Sequence, residues 1–245
     1  MAESTILYGI TPVQQCLLHQ NRSCQEMLVK SQSKSPRIKE ILGLASKKGI
    51  QIKEVNAQVL ANLTKTKLHQ GVALKCGELN TWDLQTFVDQ MPTRERGLLI
   101  ALDQVEDPQN MGAIIRSAAF LGASGLITLK KHSAPLTATV SKASAGALEY
   151  FPIISINNLS ESLQWMKKMG FLVIRSTLDD NSVDFTSAPT TDLMVLVMGN
   201  EGQGLRNLTQ KRCDQLVHIP GKPHTESLNV SAAAAILIQH FVRNS

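Results

Sequence analysis

A chain of 245 residues with 43% apolar side chains can bury a full core and is expected to form two domains. Its net charge of +5, from 25 Lys and Arg against 20 Asp and Glu, is basic without being extreme, and no apolar run reaches the roughly 18 residues of a membrane span. The 4 cysteines are scattered with no CxxC pair and the 6 histidines lack metal-ligand spacing, which argues against a disulfide framework or a resident metal and for free thiols in a reducing cytoplasm. The first residues lack a charged segment leading into an apolar one, so no export or organellar signal is expected.

In chain order the first part alternates: a helix over 11–19, a strand over 25–30, a helix over 35–48, a strand over 50–55, a short helix over 56–63 and a strand over 71–76. This reads as a small α/β domain over 1–77. A polar stretch over 78–96, with a weakly periodic helix at 84–90, reads as a linker. Between Gln25 and Lys75 the cations Lys30, Lys34, Arg37, Lys39, Lys47, Lys48, Lys53, Lys65, Lys67 and Lys75 face only Glu26, Glu40 and Glu54. Such asymmetry suits phosphate contacts, and a solvated lysine surface would give it equally well. Aromatic side chains are too few for a base-stacking sheet, so recognition by backbone or shape is the better reading.

From residue 97 onward, buried strands are expected at 98–102, 125–129, 171–175, 193–198 and 216–219, with helices at 138–148, 160–169 and 205–214. Continuous apolar strands alternating with helices predict a mostly parallel sheet covered on both faces. In LDQVEDPQNMGAIIRSAAFLG the first strand breaks at Pro108. Asn110 is read as the N-cap of a helix whose apolar stripe is Met111, Ile114, Ile115, Ala118 and Ala119, closed by Gly122. Gly112 and Arg116 share another face of that helix. MGNEGQGL (198–205) follows a second strand, where Gly199, Gly202 and Gly204 allow a close backbone approach to a ligand. A Rossmann fingerprint is excluded: the only GxG is Gly202-Gln203-Gly204, late in the chain, and Asn207 stands where the third glycine belongs. HIPGKPHTESLNVSAAAA (218–235) leads from a short strand through a polar loop to an alanine-rich helix, with Ser227 or Asn229 as the candidate cap.

Taken together and in this order, DPQNMGAIIRSA, MGNEGQGL and ESLNVSAAAA resemble the three signature motifs of the SpoU/TrmH family of RNA ribose 2′-O-methyltransferases, a branch of the SPOUT superfamily. YGITPVQQCLL and HQGVAL further resemble the accessory domain of the branch that methylates a guanosine of large-subunit (23S) ribosomal RNA. That domain is similar to ribosomal protein L30e. The resemblance implies a trefoil-knotted methyltransferase domain over 97–245, a homodimer with its active site near the subunit interface, and S-adenosylmethionine as methyl donor. It implies catalytic roles for Asn110, Arg116, Glu201, Ser227 and Asn229 and cofactor contacts from Ser176, Met198, Gly199, Ile219 and Leu228. RNA contacts would come from Lys47, Lys48, Lys65, Lys67 and, within SKASAGALE, Lys142. The RNA would be large-subunit ribosomal RNA, free or in an assembling subunit. Transfer RNA is the alternative substrate, and a non-catalytic RNA-binding or ribosome-assembly protein the alternative class.

The resemblance leaves ordinary readings beside the functional ones. Glu201 could simply favour a following helix N-terminus or pair with Arg116, and a lone helix arginine usually faces water. A guanidinium hardly deprotonates, so Arg116 is read as gripping a phosphate and stabilising a developing alkoxide rather than as a base. One departure stands out: relatives often carry Gly-Thr after the third strand, where this chain has Arg175-Ser176-Thr177.

Overall fold

The computed structural model describes residues 4–91, 96–179, 181–199, 209–222 and 227–244. The chain divides into two compact units, and no single cut separates them. Residues 1–80 and 135–151 make the first; 81–134 and 152–245 make the second.

In the first unit the order is β1 (Thr5–Tyr8), α1 (Ile10–His19), β2 (Cys24–Lys30), α2 (Pro36–Lys47), β3 (Gln51–Val55), α3 (Ala57–Thr64) and β4 (Val72–Cys76). The sheet order is β1-β4-β2-β3, with β4 antiparallel to β1 and β2, and β2 parallel to β3. Alternation along the strands feeds both faces. Leu7, Met27 and Leu74 meet Val13, Cys16 and Leu17 of α1 and Ile41 and Ala45 of α2, while Leu28 and Ala73 meet Leu60 of α3. Strand β1 was not expected from the sequence, because four residues are too few to show a period.

The segment 135–151 completes this unit. Where one helix over 138–148 was expected, α6 (Ala138–Ala143) stops and a 3₁₀ turn follows at Ala147–Glu149. The break falls at Ala145 and Gly146, with φ of 51° and 85°. At Gly146 a side chain would also meet the Thr11 carbonyl, so glycine is required there twice over. Glu149 is fully buried and paired with buried Arg22, Nε to Oε2 at 2.8 Å. Ser141 Oγ donates to Glu149 Oε1 at 2.7 Å, and Asn21 Nδ2 donates to the Glu149 carbonyl at 3.0 Å. The sequence reading kept this segment in the C-terminal domain; the buried pair ties it instead to residues 21–22.

Cys16 and Cys24 bring their sulfurs to 3.8 Å in this unit. The hydrogen bond from Cys16 holds the Cys24 thiol below its ordinary value, although burial pushes the other way. Burial pushes Cys213, in the second unit, up to about 12. Because the thiolate is the nucleophile, a limiting alkylating reagent at neutral pH is expected to label Cys24 ahead of Cys213 and of the buried Cys16 and Cys76. Peptide mass spectrometry of a labelling time course reads the order directly; early modification of Cys213 would contradict it.

The second unit runs α4 (Leu84–Gln90), β5 (Gly97–Asp103), α5 (Pro108–Leu121), β6 (Gly125–Leu129), β7 (Ile153–Ile156), α7 (Leu159–Lys168), β8 (Leu172–Ser176), β9 (Val183–Asp184), β10 (Leu193–Gly199), β11 (Gln215–His218) and α8 (Val230–Asn244). Among the described residues its seven strands are parallel throughout, in the order β7-β6-β5-β10-β8-β11-β9. On one face Leu99, Ala101, Ile127, Val195 and Val197 pack against Leu84 of α4 and Leu163 and Met166 of α7. The other face carries α5 and α8, which pack on each other and bury Ile114, Ile115, Leu237 and Phe241.

Part of the expected linker belongs to this unit. Trp82 bridges to Ile154, and Phe87 and Val88 join the core. Residues 205–208 of the expected helix 205–214 lie outside the described residues. Of its described part only Thr209 and Gln210 are helical.

The start of α5 corrects the expected cap. Pro108 occupies the first helical turn and has no N–H to offer, so the cap falls one residue earlier. The Asp107 carboxylate accepts from the Gln109 N–H at 2.9 Å, which leaves Asn110 inside the first turn. Gly122 closes the helix at φ 91°, as its type and position predict.

Candidate active site

Strands β5, β6 and β7 step outward in one direction, while β10, β8 and β11 lie on the other side of β5. In open parallel sheets, ligands bind beyond the carboxyl ends of the strands where the order reverses. A cleft of about 1190 Å³ opens there, formed by the ends of β5, β8, β10 and β11 and the start of α8. Its wall includes eight of the ten residues expected to carry the chemistry: Asn110, Ser176, Met198, Gly199, Ile219, Ser227, Leu228 and Asn229.

Local structure explains how they converge. Gly199 ends β10 directly opposite Asp103, the last residue of β5, and a side chain at 199 would come within 2.9 Å of the Asp103 carbonyl. Asn229 precedes α8 and is its cap: its Oδ1 accepts from the Ser231 N–H at 2.9 Å and from Ser231 Oγ at 2.6 Å. Since a backbone N–H can only donate, the acceptor of the Asn229 amide is fixed and its Nδ2 is the remaining donor. That Nδ2 donates to Asn110 Oδ1 at 3.0 Å, so Asn110 in turn is left with its own NH₂ as the group it can offer a ligand. Two residues 119 positions apart are thus set by one helix cap.

Carboxylates predominate on the rim. Glu106, Asp107 and Asp179 line the cleft, with Lys222 opposing them. The Asn181 N–H, then the Gln210 amide, hold the Asp179 carboxyl below the usual carboxylate range. Arg175, the departure noted in the sequence, is buried and bonds Asp103, Nη1 to Oδ2 at 3.1 Å, reaching across β10 from β8 to β5. Its charge is thereby matched inside the wall. The sequence reading missed Asp103 and Asp179. The signal for Asp103 was an acid ending a wholly apolar strand.

Two expected residues remain. Glu201 lies outside the described residues. Arg116 is exposed on α5 and does not line the cleft. It lies six positions after Asn110, about 120° away around the helix by the shorter way, so the two side chains leave α5 in different directions. The expected RNA-contacting lysines also separate. Lys47 and Lys48 are exposed at the C-terminal end of α2, whereas Lys67 lines a second pocket that includes Ser35 at the other end, about 17 Å away along the helix axis. Lys65 is exposed after α3. Lys142 donates to the Leu68 carbonyl at 3.2 Å and sits 6.0 Å above the Tyr8 ring.

The sequence matches the SpoU rRNA Methylase family over residues 97–239 and the domain described as RNA 2'-O ribose methyltransferase substrate binding over residues 6–82. A 23S rRNA (guanosine-2'-O-)-methyltransferase RlmB from Xanthomonas campestris pv. campestris is 35% identical over 240 residues, covering 97% of this chain and 95% of that protein. The enzyme of the same name from Ralstonia nicotianae is also 35% identical, covering 99% and 97%. Among solved structures, the AdoMet-bound rRNA methyltransferase of Sinorhizobium meliloti superposes with a TM-score of 0.81 at 26% identity, over 98% of this chain and 87% of that one. The SpoU methyltransferase AviRb of Streptomyces viridochromogenes shares the fold, with a TM-score of 0.80 at 24% identity over 98% and 90%. Described residues of three motifs gathered at the carboxyl ends of one parallel sheet, and a family match across that same unit, have one reading: the chain belongs to the SpoU rRNA methylase family.

Proposed function

We propose that this protein methylates the ribose 2′-oxygen of a guanosine in 23S ribosomal RNA, taking the methyl group from S-adenosylmethionine. The observation that carries the reading is the cleft itself, where residues from all three motifs line one cavity at the switch point of the sheet. The near full-length similarity to 23S rRNA guanosine methyltransferases supports the substrate.

The residues present fit the cofactor. A cleft of about 1190 Å³ is ample for it, and Glu106, Asp107 and Asp179 suit a ligand carrying a sulfonium charge. The backbone at Met198, Gly199, Ile219 and Leu228, with the Ser176 hydroxyl, forms the wall expected to hold it. When bound, S-adenosylmethionine supplies an electrophilic methyl carbon. The protein's part is to align the 2′-oxygen with that carbon, which is worth several kcal/mol by roughly the measure of other oriented reactions. Asn110, with its NH₂ turned outward by Asn229, is suited to orient the acceptor sugar. Arg116 grips the neighbouring phosphate and stabilises the alkoxide that develops as the hydroxyl proton leaves. Ser227 completes the acceptor side, and Glu201 is assigned to the same pocket by its motif.

The separation of Arg116 from the cleft of its own chain supports a homodimer in which a second copy delivers that arginine. The position of β10 between β5 and β8 supports the knotted path that the family implies. The domain over 6–82, with its exposed lysines, is assigned to ribosomal RNA. Among the described residues no helix is long and apolar enough to cross a membrane, in keeping with work on ribosomal RNA in the cytoplasm. The test is transfer of labelled methyl from S-adenosylmethionine to unmodified 23S rRNA and, in parallel, to transfer RNA. Label recovered as 2′-O-methylguanosine from the ribosomal RNA is the expected outcome. Label in transfer RNA alone would move the substrate, and a protein that binds no cofactor would overturn the reaction.

A further inference from the structure

The first unit holds a second cavity, of about 560 Å³, that the methyl-transfer reading does not use. It is built by the end of β2, the start of α2, one face of α3 and the turn before β4, all within residues 30–71. Its lining is chemically one-sided. Lys30 and Lys67 contribute ammonium groups, Ile38, Ala57 and Ala61 form an apolar wall, and no carboxylate appears among the described lining residues.

His69 is the decisive group. It is 8% exposed, and its Nδ1 accepts from the Gly71 N–H at 3.0 Å. An imidazole that accepts at Nδ1 while neutral carries its proton at Nε2. Burial, then the charges of Lys30 and Lys142, keep the ring below the ordinary histidine range and hence neutral at pH 7. The Nε2–H has no hydrogen-bond partner in the described protein, yet no fully buried side-chain atom is left unsatisfied. That N–H therefore keeps solvent access, and His69 is one of the residues that line the cavity. A donor held in one orientation by the Gly71 bond, on a nearly buried ring beside two ammonium groups, offers a ligand's acceptor atom a fixed place to bind.

We propose that this cavity receives a single unstacked nucleotide of the RNA substrate, its phosphate on Lys30 and Lys67, a polar atom on His69 Nε2–H, and its sugar or base along Ile38, Ala57 and Ala61. The inference rests on RNA being the substrate and adds where the first unit grips it. Volume and chemistry agree. The cavity falls in the roughly 300–1,000 Å³ range of small-ligand sites, and RNA recognition commonly takes splayed-out nucleotides of single-stranded segments. Ser35, the cap residue of α2, also lines the cavity and makes no side-chain cap bond, leaving its hydroxyl free for a ligand. Every lining residue lies inside the 6–82 span that matches the substrate-binding domain.

Ala61→Trp fills the apolar wall without altering charge and is the discriminating variant. Filter binding of unmodified 23S rRNA to the full-length protein is expected to weaken tenfold or more, as order of magnitude, for a lost nucleotide contact. Turnover at saturating RNA and affinity for S-adenosylmethionine should stay at wild-type values. Lys67→Gln should reduce the salt dependence of binding by about one ion, whereas Ala61→Trp should leave that slope intact. Should Ala61→Trp fail to fold, Ala57→Trp offers the same wall from the exposed first turn of α3. A folded wall variant that binds the RNA like wild type overturns the pocket. Loss of binding in Lys67→Gln matched by equal loss in Lys47→Gln, with the wall variant unaffected, also overturns it in favour of diffuse charge. Methyl transfer by the wild-type protein, read on the same samples, keeps the reaction's failure separate from the pocket's.

Discussion

Arg116→Ala should lower methyl transfer by about 10³-fold while leaving S-adenosylmethionine affinity within about twofold of wild type, the pattern of a group that acts on the transition state and not on the cofactor. The structure gives the reason for the split. Arg116 stands on the exposed side of α5, outside the cleft, so its removal disturbs no cleft wall and no core contact. Stability should therefore be unchanged, which makes loss of turnover interpretable. Arg116→Lys should recover little, because one ammonium cannot reproduce a two-pronged grip on a phosphate. Single-turnover kinetics and calorimetric titration of the cofactor provide the two readings. Wild-type turnover in Arg116→Ala would remove the arginine from the mechanism altogether. Mixing Arg116→Ala with Asn110→Ala chains tests where the arginine acts. Recovery of activity in the mixture, absent from either variant alone, is expected if one chain serves the cleft of its partner.

The second large effect concerns stability and lies in the other unit. Arg22→Ala leaves Glu149 fully buried without its counter-charge, and the usual cost of breaking such a pair is about 3–5 kcal/mol. For a unit of this size that corresponds to a fall of roughly 10 °C or more in its melting temperature. Arg22 also reaches the carbonyls of Gly77 and Leu136 at 3.5 Å, so with Glu149 and Leu136 both released its loss loosens the 135–151 segment near each end. Replacing both partners by apolar residues of similar size, Arg22→Met with Glu149→Leu, should return most of the lost stability. A calorimetric scan of the single and double variants measures both. A single variant melting with the wild type would mean that the pair contributes nothing.

What could be read from the sequence follows what is local. Strands β5 and β10, seven residues each, announce themselves by continuous apolar runs over 98–102 and 193–198, and Gly122 announces a helix end. Strands β1, β7 and β9 do not: they have only four, four and two residues, and, unlike the four-residue β11, none leads directly into a signature motif. Asn110 was mistaken for the cap since its type suits that role as well as Asp107 does; only the proline between them decides. The resemblance supplied the cleft residues, and the fold brought most of them together. Neither could foresee that Arg175, an apparent intrusion near the cofactor loop, would be absorbed by Asp103 in the wall. His69 was invisible for another reason. Its importance comes from which ring nitrogen is occupied, and a sequence does not record that.

The return of residues 135–151 to the first unit bears on how such proteins can be made and recombined. A nascent chain has released all four strands of the small sheet by residue 76, yet Arg22 must wait for Glu149 before its charge is answered. By then β5, α5 and β6 have already left the ribosome. The small unit therefore matures after part of the large one has been synthesised. An exchange of modules that cuts this chain once, near residue 80, would transplant an orphaned arginine; a working chimaera must carry the later segment with it.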